Sequence, residues 1–291
     1  MFTKSPSNPL LPPTATDTFF DCCVVPLGAD LRLYLSWRDR QGLAACESPD
    51  GVSWSAPALV FAPEPTHPWE AHEVNRPSVV QTASGWWLWY TGQNRDLQTS
   101  ALGLARSEDG LHWERASTSP VLEAVGGWEK QSLMCPHVIW EGDRFRMWYS
   151  GGDQFEPDAI GYAESADGVH WRRAPENPVL IPAGGWEAAR VAGACIVARE
   201  HDYLAFYIGF AEGYEHSSIG MARSRDGIHD WERYPGNPII SPGPQGDWDD
   251  CNVYKPYVLR RPEGWYLWYN ASRASDRREQ LGLALAETLD F

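Results

Sequence analysis

WEKQSLMCPHVI, residues 128–139, opens on a tryptophan–acid pair, has a proline eight residues after the tryptophan and ends in a branched apolar pair. The same order recurs three more times, with an alanine replacing the proline in one copy. The pairs follow one another at steps of 59, 58 and 62 residues: Trp69-Glu70, Trp128-Glu129, Trp186-Glu187 and Trp248-Asp249. Self-similarity at one period indicates one supersecondary unit copied several times. Positions alike in every copy are therefore expected to be scaffold, and positions that differ are candidates for function.

Each repeat has the pattern of short antiparallel strands. Runs of β-branched and aromatic residues are separated by turns rich in Gly, Asn and Asp, and no stretch shows sustained helical periodicity. A Ser-x-Asp-Gly-x-x-Trp hairpin, as in residues 107–113, recurs in four units. Asp-Gly supplies the positive φ that a tight turn needs. Because this Asp is copied in every unit, we interpret it as a turn residue rather than a catalyst.

The repeats predict an all-β fold: a five-bladed β-propeller of four-stranded antiparallel blades, forming a single domain over residues 1–291. Blades are expected to start near residues 17, 73, 132, 190 and 252. The fifth unit is cut short at Phe291, so residues 8–12 are expected to complete the last blade. Asn8-Pro9-Leu10-Leu11 resembles the segments 177–180 and 237–240 that open the outer strand elsewhere. Closing the ring in this way would leave no exposed strand edge.

The composition limits the partners and the compartment. A net charge of −15 argues against nucleic acid and anionic membranes, which both need a basic surface. There is no run of 18 apolar residues, and the polar, Pro-rich N-terminus lacks the pattern of a secretory signal. The six cysteines show no metal-ligand or disulfide spacing and are expected to be buried thiols. We therefore expect a cytoplasmic protein without cofactor or metal.

The starts of the five inner strands are expected to converge at one mouth of the propeller. One position before the proline column, the five copies differ most: Asp21, Arg76, Cys135, Gly193 and Lys255. Neighbouring columns add further polar residues to this mouth, namely Glu73, Asn75, His137, Arg190, Asn252, Tyr254 and Tyr257. The loops after the second strands are charged and differ in every copy, and they supply Asp153 and Glu212. Variable polar loops on a rigid scaffold are where binding sites lie, so this face is the candidate site.

Each of these residues also has a structural interpretation. Arg76 and Lys255 could pair with Asp21 or Glu73 and merely neutralise the hub. His137 could be a hydrogen-bonded core histidine. The acids of the tryptophan–acid pairs are interpreted as structural, and the loop acids could simply be solvated.

The repeats resemble the five-bladed propeller glycosidases. The resemblance is carried by the Ser-x-Asp-Gly-x-x-Trp hairpin, the Asn-Pro-(Val/Ile)-(Leu/Ile) segment and a second strand that ends in Trp-Tyr-(Ser/Thr)-Gly. It covers residues 8–285 and points to the superfamily of glycoside hydrolase families 43, 32 and 68, with some likeness to family 130 phosphorylases. The resemblance implies a carbohydrate substrate.

The resemblance also implies a catalytic Asp at the start of the first inner strand, where Asp21 stands. The second and third carboxylates of the superfamily have no counterpart, because Cys135 and Ala192 occupy those positions. Cleavage of a glycosidic bond still needs a general acid. Glu73 is the first candidate, followed by His137 or a loop acid such as Asp153 or Glu212. Arg76, Lys255, Asn75 and Tyr254 would bind the sugar, with tryptophans as stacking platforms.

Three functions remain open at this point. The first is an exo-acting, inverting glycoside hydrolase of small glycosides with Asp21 as the base. The second is a phosphorylase or transferase on the same scaffold, since three cations at one mouth (Arg76, Arg190 and Lys255) suit a phosphate or a sugar carboxylate. The third is a sugar-binding propeller without activity, which the loss of the two carboxylates favours.

Overall fold

The computed structural model describes residues 1–11, 17–214, 216–289 and 291. Its strands form consecutive four-stranded antiparallel meanders, which we call blades 1 to 5. After a short N-terminal strand, β1 (Thr3–Lys4), blade 1 consists of β2 (Phe19–Leu27), β3 (Asp30–Trp37), β4 (Gly42–Ser48) and β5 (Ala58–Phe61). A 3₁₀ turn at Arg38–Arg40 follows β3. The tryptophan–acid repeat is absent from blade 1, yet its strand order is the same.

Blades 2 to 4 repeat this order. Blade 2 is β6 (Glu73–Thr82), β7 (Gly85–Asn94), β8 (Thr99–Ser107) and β9 (Glu114–Arg115). Blade 3 is β10 (Ser132–Trp140), β11 (Phe145–Gly152), β12 (Ala159–Ser165) and β13 (Arg172–Arg173). Blade 4 is β14 (Arg190–Ala198), β15 (Tyr203–Phe210), β16 (Ser217–Ser224) and β17 (Glu232–Arg233), with 3₁₀ turns at Gly185–Glu187 and Glu212–Tyr214.

Blade 5 contains β18 (Asn252–Arg261), β19 (Gly264–Ser272) and β20 (Glu279–Ala286), and β1 pairs with β20 as its fourth strand. The innermost strands β2, β6, β10, β14 and β18 contact one another in cyclic order, and β18 returns to β2. This closed ring of antiparallel sheets is the β-propeller fold expected from the repeats. Within the described part of the chain, no helix is long and apolar enough to cross a membrane.

The N-terminal segment closes the ring in two pieces. Thr3 and Lys4 pair with Leu285 and Ala284, and Leu11 makes a separate bridge to Leu281. Between them, the Asn8 side chain bonds both the N–H and the carbonyl oxygen of Leu283, at 2.8 and 3.0 Å. The sequence placed the whole outer strand at 8–12. The segment does pair with β20, but the regular strand β1 precedes it, just as β13 and β17 precede the Asn-Pro segments at 177–178 and 237–238. Pro12 lies outside the described residues.

The tryptophan–acid pairs hold the strands of one blade together. In blade 3, the buried Glu129 accepts a hydrogen bond from Tyr149 on β11 at 2.8 Å and pairs with Arg173 on β13 at 2.5 Å. The Trp128 ring lies over Gly151 and Gly161, where a Cβ would come within 2.6 Å of it. The interpretation of these pairs as scaffold therefore agrees with their contacts, although they join strands within a blade rather than neighbouring blades.

The Asp-Gly hairpins are what join neighbouring blades. The Asp109 carboxylate accepts the N–H groups of Leu111 and His112, so its role is to close the turn. The turn glycine of each blade then offers its carbonyl oxygen to an aromatic side chain of the preceding blade. Four such bonds are formed, from Tyr34 to Gly110, Trp89 to Gly168, Trp148 to Gly227 and Trp268 to Gly51, at 2.8–3.1 Å.

The five blades share apolar clusters at their interfaces. The large buried side chains are mostly aromatic residues of the second strands: Tyr34, Trp89, Trp148, Phe206 and Trp268. All six cysteines are buried and none forms a disulfide, as their spacing predicted. The burial of wide aromatic rings between blades explains why so much tryptophan is needed to stabilise this fold.

Candidate active site

All five inner strands carry a β-bulge at the same place. The register of β2, β6, β10, β14 and β18 against their partners shifts at this point in each blade. The bulged residues have left-handed φ values of 56°, 54°, 52°, 58° and 48° and are Asp21, Arg76, Cys135, Gly193 and Lys255. These are the five residues that the sequence placed in one ring. Glycine adopts such φ values without strain, whereas other residues lose on the order of 1 kcal/mol, so four non-glycine side chains here need a reason.

The preceding blade fixes the bulges of blades 2, 3 and 4. The backbone N–H of Arg76 donates to Ser36 Oγ at 2.9 Å, that of Cys135 to Thr91 Oγ1 at 3.2 Å, and that of Gly193 to Ser150 Oγ at 2.8 Å. These hydroxyls belong to one column of the second strands. The ring is thus rigid at its backbone, and its chemistry is set by the side chains alone.

A cavity of about 120 Å³ lies at the mouth of this ring. It is lined by residues of all five blades: Phe20, Asp21, Arg38, Arg76, Met134, Cys135, Glu156, Pro157, Arg190, Ala192, Ile208, Phe210, Tyr254 and Glu279. Four residues predicted for the site are among them, namely Asp21, Arg76, Arg190 and Tyr254. Larger grooves exist on the outer surface, but they lack a buried carboxylate pair with facing cations. The mouth cavity is therefore the candidate active site.

Asp21 is held at the edge of this cavity. Its side chain is buried, Ser36 Oγ donates to its Oδ2 at 3.2 Å, and the Arg76 Nε lies 3.9 Å from the same oxygen. Arg76 also donates from Nη1 to Asn75 Oδ1 at 2.8 Å. Although burial opposes it, the charge of Asp21 raises the pKa of Arg76, so this guanidinium stays charged. Asp21 thus has one oxygen engaged by long contacts, so its carboxyl group is available to act on a ligand.

Glu279 lines the cavity where blades 5 and 1 meet, which we call the seam between these blades. Arg38 binds it through both Nε and Nη2, at 2.8 and 2.6 Å, and Tyr254 donates its hydroxyl to Oε1 at 2.6 Å. The Arg38 guanidinium in turn lies over the Phe20 ring at 4.2 Å. Burial raises the pKa of the Glu279 carboxyl, while Arg38 and Tyr254 oppose that shift. With all these donors directed at it, Glu279 serves to hold Arg38 and Tyr254 in place.

Glu156 enters the cavity from the loop after β11. It lines the same cavity as Asp21, Arg76 and Cys135. Burial raises the pKa of the Cys135 thiol, which is therefore neutral. Glu156 is exposed in the absence of ligand, in contrast to the buried Asp21. One buried and one accessible carboxylate thus face the same space.

Three charged lining residues were not among those predicted for the site, namely Glu156, Glu279 and Arg38. All three lie in or beside the second-strand loops, which the repeats had marked as variable and charged. The loop positions were therefore identified, but their lengths differ between copies, so no column comparison could show which side chain turns inward.

Two predicted acids lie elsewhere. Glu73 is buried at the start of β6 and is paired with Arg95, outside the cavity lining. His137 is buried one layer below the mouth, where its Nε2 donates to the Ile196 carbonyl oxygen at 3.2 Å. Burial, helped by the charge of Lys255, lowers the pKa of His137 to about 3. A histidine with such a pKa is a neutral imidazole near neutral pH, so it lacks the imidazolium proton that a general acid would give to the leaving group.

The remaining predicted residues also stay off the cavity lining. Asn252 bridges blades 4 and 5 by accepting from the backbone N–H of Ser217 at 3.0 Å. Asp153 and Glu212 are exposed in their loops, and Asn75 orients Arg76 as described above. Lys255 is buried and is not part of the cavity lining.

The expectation that tryptophans form stacking platforms in the site is wrong. The aromatic side chains that line the cavity are Phe20, Phe210 and Tyr254, and no tryptophan is among them. The tryptophans pack between and within blades instead, because their large rings fill the wedge-shaped gaps of the propeller.

Comparison with known proteins agrees with this architecture. Residues 41–174 match the family model for the glycosyl hydrolases family 32 N-terminal domain. The uncharacterised protein MT1551 of Mycobacterium tuberculosis is 30% identical over 220 residues, covering 72% of this chain and 70% of that protein. A beta-1,2-mannobiose phosphorylase from a Thermoanaerobacter species is 31% identical over 111 residues, covering 33% of this chain and 36% of the phosphorylase.

Solved structures show the same fold. A glycoside hydrolase superposes with a TM-score of 0.81 at 20% identity, covering 96% of this chain and 90% of the other. A thermostable family-43 glycoside hydrolase superposes with a TM-score of 0.76 at 19% identity, covering 95% and 92%. The chain therefore belongs to one family with the mycobacterial protein, and it shares its fold with solved glycoside hydrolases.

Proposed function

We propose that this protein is a glycoside hydrolase in which Asp21 is the general base. The observation that carries this proposal is that two carboxylates, Asp21 and Glu156, line one cavity together with Arg76. Glycoside hydrolysis typically needs two carboxyl groups that flank the sugar, one as general acid and the other as base or nucleophile. The position of Asp21 in the first inner strand, on a fold shared with glycoside hydrolases, supports its role.

We assign the general acid to Glu156. Glu73 is engaged by Arg95, and His137 is neutral with a pKa of about 3, so neither is placed to protonate a leaving group. Burial raises the pKa of Glu279, but Arg38 and Tyr254 both bind its carboxylate oxygens, so these oxygens are occupied by contacts within the protein. Glu156 is the remaining carboxylate of the lining, and its exposure leaves it able to meet the glycosidic oxygen of a bound substrate.

The size of the cavity supports exo-action. About 120 Å³ is well below the roughly 300–1,000 Å³ of sites for larger ligands and suits one sugar residue. Arg190, Tyr254 and the Phe210 ring would then bind and orient this residue. We further propose inversion, with a water activated by Asp21; this requires the carboxyl groups of Asp21 and Glu156, which come from blades 1 and 3, to stand roughly 6.5–9.5 Å apart.

The test uses Asp21→Asn and Glu156→Gln on a panel of para-nitrophenyl glycosides and on unactivated disaccharides. Asp21→Asn should lose turnover on both by about a thousandfold, the scale of a general base. Glu156→Gln should lose it on disaccharides and retain most of it on the aryl glycosides, whose leaving group needs no proton. The exposed Glu200→Gln serves as control. Full activity of Asp21→Asn would refute the assignment, and NMR of the first-formed anomer decides between inversion and retention.

Phosphorolysis is the second candidate. Arg76 and Arg190 both line the cavity, and planar guanidinium groups suit a phosphate. The similarity to a beta-1,2-mannobiose phosphorylase also supports this alternative. Turnover that requires inorganic phosphate and releases a sugar phosphate would establish it, whereas turnover independent of phosphate would exclude it. A chain that binds sugar but turns over nothing in either assay would be the non-catalytic propeller.

A further inference from the structure

The second strands of the five blades share one column of side chains, opposite the inner-strand residue that comes just before the bulge. From blade 1 to blade 5 this column holds Ser36, Thr91, Ser150, Ile208 and Asn270. The three hydroxyls are fully buried, and each accepts the bulge N–H of the next blade at 2.8–3.2 Å. Blades 1, 2 and 3 therefore use this column for the same structural contact.

Ser36 makes a second contact that its counterparts lack. Its Oγ accepts the Arg76 N–H at 2.9 Å and donates to Asp21 Oδ2 at 3.2 Å. Among the described residues, the Thr91 and Ser150 hydroxyls form no hydrogen bond to a carboxylate. A hydroxyl has one proton and two lone pairs, and a carboxylate can only accept. Because the Arg76 N–H occupies a lone pair, the single proton of Ser36 remains for Asp21.

This contact determines which oxygen of Asp21 can act on a ligand. Ser36 Oγ and Arg76 Nε both approach Oδ2, at 3.2 and 3.9 Å, and no hydrogen bond from a described residue reaches Oδ1. The terminal torsion of an aspartate has broad minima, so a contact to one oxygen is needed to fix the orientation of the group. Ser36 is itself held by the bulge of blade 2. It can therefore transmit the rigidity of that bulge to the carboxylate of blade 1.

We propose that Ser36 is a positioning residue, whose hydroxyl holds Asp21 Oδ2 and leaves Oδ1 to accept the proton of the attacking water. This assignment rests on the proposed function, in which Asp21 is the general base. In that step the water gives a proton to Oδ1, and its oxygen bonds to the anomeric carbon. The bond to the leaving-group oxygen breaks, and this oxygen takes the proton of Glu156. A base that is already aligned for this step raises kcat rather than the affinity for substrate.

The first experiment compares Ser36→Ala with Ser150→Ala. Both changes remove a buried hydroxyl that accepts a bulge N–H, but only Ser36 contacts a carboxylate, so Ser150→Ala is the matched control. On the best aryl glycoside, kcat of Ser36→Ala should fall roughly 10- to 100-fold while KM changes by less than about twofold. Ser150→Ala should keep the wild-type kcat and KM. Equal kcat values in the two variants would overturn the proposal.

A conservative variant separates the hydroxyl from the packing of the side chain. Ser36→Thr keeps the hydroxyl, and Thr91 occupies the equivalent position of blade 2 with its own bulge contact intact. It should retain most of the wild-type kcat. Ser36→Val has the shape of threonine without the hydroxyl and should show the loss expected for Ser36→Ala. This pair also answers the question if Ser36→Ala does not fold, since equal kcat values in Ser36→Thr and Ser36→Val would contradict the role of the hydroxyl.

A double-mutant cycle links the effect of Ser36 to Asp21. Adding Ser36→Ala to Asp21→Asn should cause no further loss of kcat, because the base that Ser36 aligns is already gone. A further loss of tenfold or more would show that Ser36 acts independently of Asp21. If Asp21→Asn keeps the wild-type activity, the proposed function itself is wrong. If Asp21→Asn is inactive while Ser36→Ala behaves like Ser150→Ala, the proposed function stands and only the role of Ser36 is refuted.

Discussion

At the scale of single residues, the equivalent bulge position of the five inner strands holds five different side chains. Asp21, Arg76, Cys135, Gly193 and Lys255 share a bulge and a positive φ, and the sequence alone placed them in one ring. It could not tell which of them faces the cavity. Tyr254 lines the cavity whereas its neighbour Lys255 does not, because the bulge redirects consecutive side chains. A bulge at a non-glycine residue has no clear sequence signature, so which of these side chains line the cavity was not predictable.

His137 gives a prediction at this scale. Its pKa of about 3 in the folded protein lies below the roughly 6.5 of an unfolded histidine. The unfolded chain therefore binds a proton between these values that the folded chain does not bind. Stability from the neutral His137 is present above pH 6.5 and is lost as the pH falls towards 3, by up to about 1.4 kcal/mol per pH unit.

His137→Gln keeps an N–H donor for the Ile196 carbonyl oxygen and removes the titration. Between pH 6 and 4, the unfolding free energy from urea titrations should therefore fall less steeply in this variant than in the wild type. His201→Gln, at an exposed position, should leave the slope unchanged. Identical slopes in His137→Gln and the wild type would show that His137 is already protonated in the folded protein.

At the scale of elements, the repeat predicted more than the strands. It predicted that the tryptophan–acid pairs are scaffold, and their contacts explain the reason: in blades 2 and 3 the acid joins the second and the outer strand of its blade. The same comparison did not identify the cation that pairs with Asp249, because the outer strand of blade 5 comes from the other end of the chain. In blade 5, Lys4 takes the place that Arg173 has in blade 3.

The contact between Lys4 and Asp249 gives the second prediction. Lys4 Nζ lies 2.6 Å from Asp249 Oδ2, and Asp249 is buried, with Tyr269 as a distant second donor at 3.4 Å. Lys4→Met would leave a buried carboxylate without its cation and should lower the unfolding free energy by about 2 kcal/mol. Chemical denaturation measures this loss.

The double variant Lys4→Met with Asp249→Asn is the matched control. Because it removes the buried charge together with its partner, it should recover part of the loss. If the double variant is less stable than Lys4→Met by the full effect of Asp249→Asn, the two residues do not interact.

At the scale of the whole molecule, the cavity exists because five blades close into a ring. Each blade contributes to its lining, and the two carboxylates proposed for catalysis come from blades 1 and 3. The column comparison identified the ring residues from the inner strands, whose spacing is constant. It missed Glu156 and Glu279, which depend on how loops of unequal length fold over the mouth. The positions of residues on the inner strands were therefore predictable from their constant spacing in the sequence. The loop conformations were not predictable, because tertiary contacts determine them.

Ring closure should therefore affect the site at a distance. Residues 1–11 do not line the cavity, but β1 completes blade 5, whose β20 begins with Glu279. Glu279 holds Arg38 of blade 1 next to Phe20 and Asp21. Deleting residues 1–11 exposes the edge of β20 and should loosen the seam between blades 5 and 1. We expect kcat/KM on the best aryl glycoside to fall at least tenfold at a temperature where the deletion variant is still folded.

A synthetic peptide of residues 1–11 separates this coupling from general instability. Added in trans, it should pair again with β20 and restore kcat/KM in a saturable manner, because Asn8 and Lys4 supply specific contacts to Leu283 and Asp249. The same peptide with Lys4→Met and Asn8→Ala should restore much less. The prediction is contradicted if the deletion variant stays folded by circular dichroism and retains the wild-type kcat/KM. That result would mean that the Arg38–Glu279 contact between blades 1 and 5 stays intact when the edge of β20 is open.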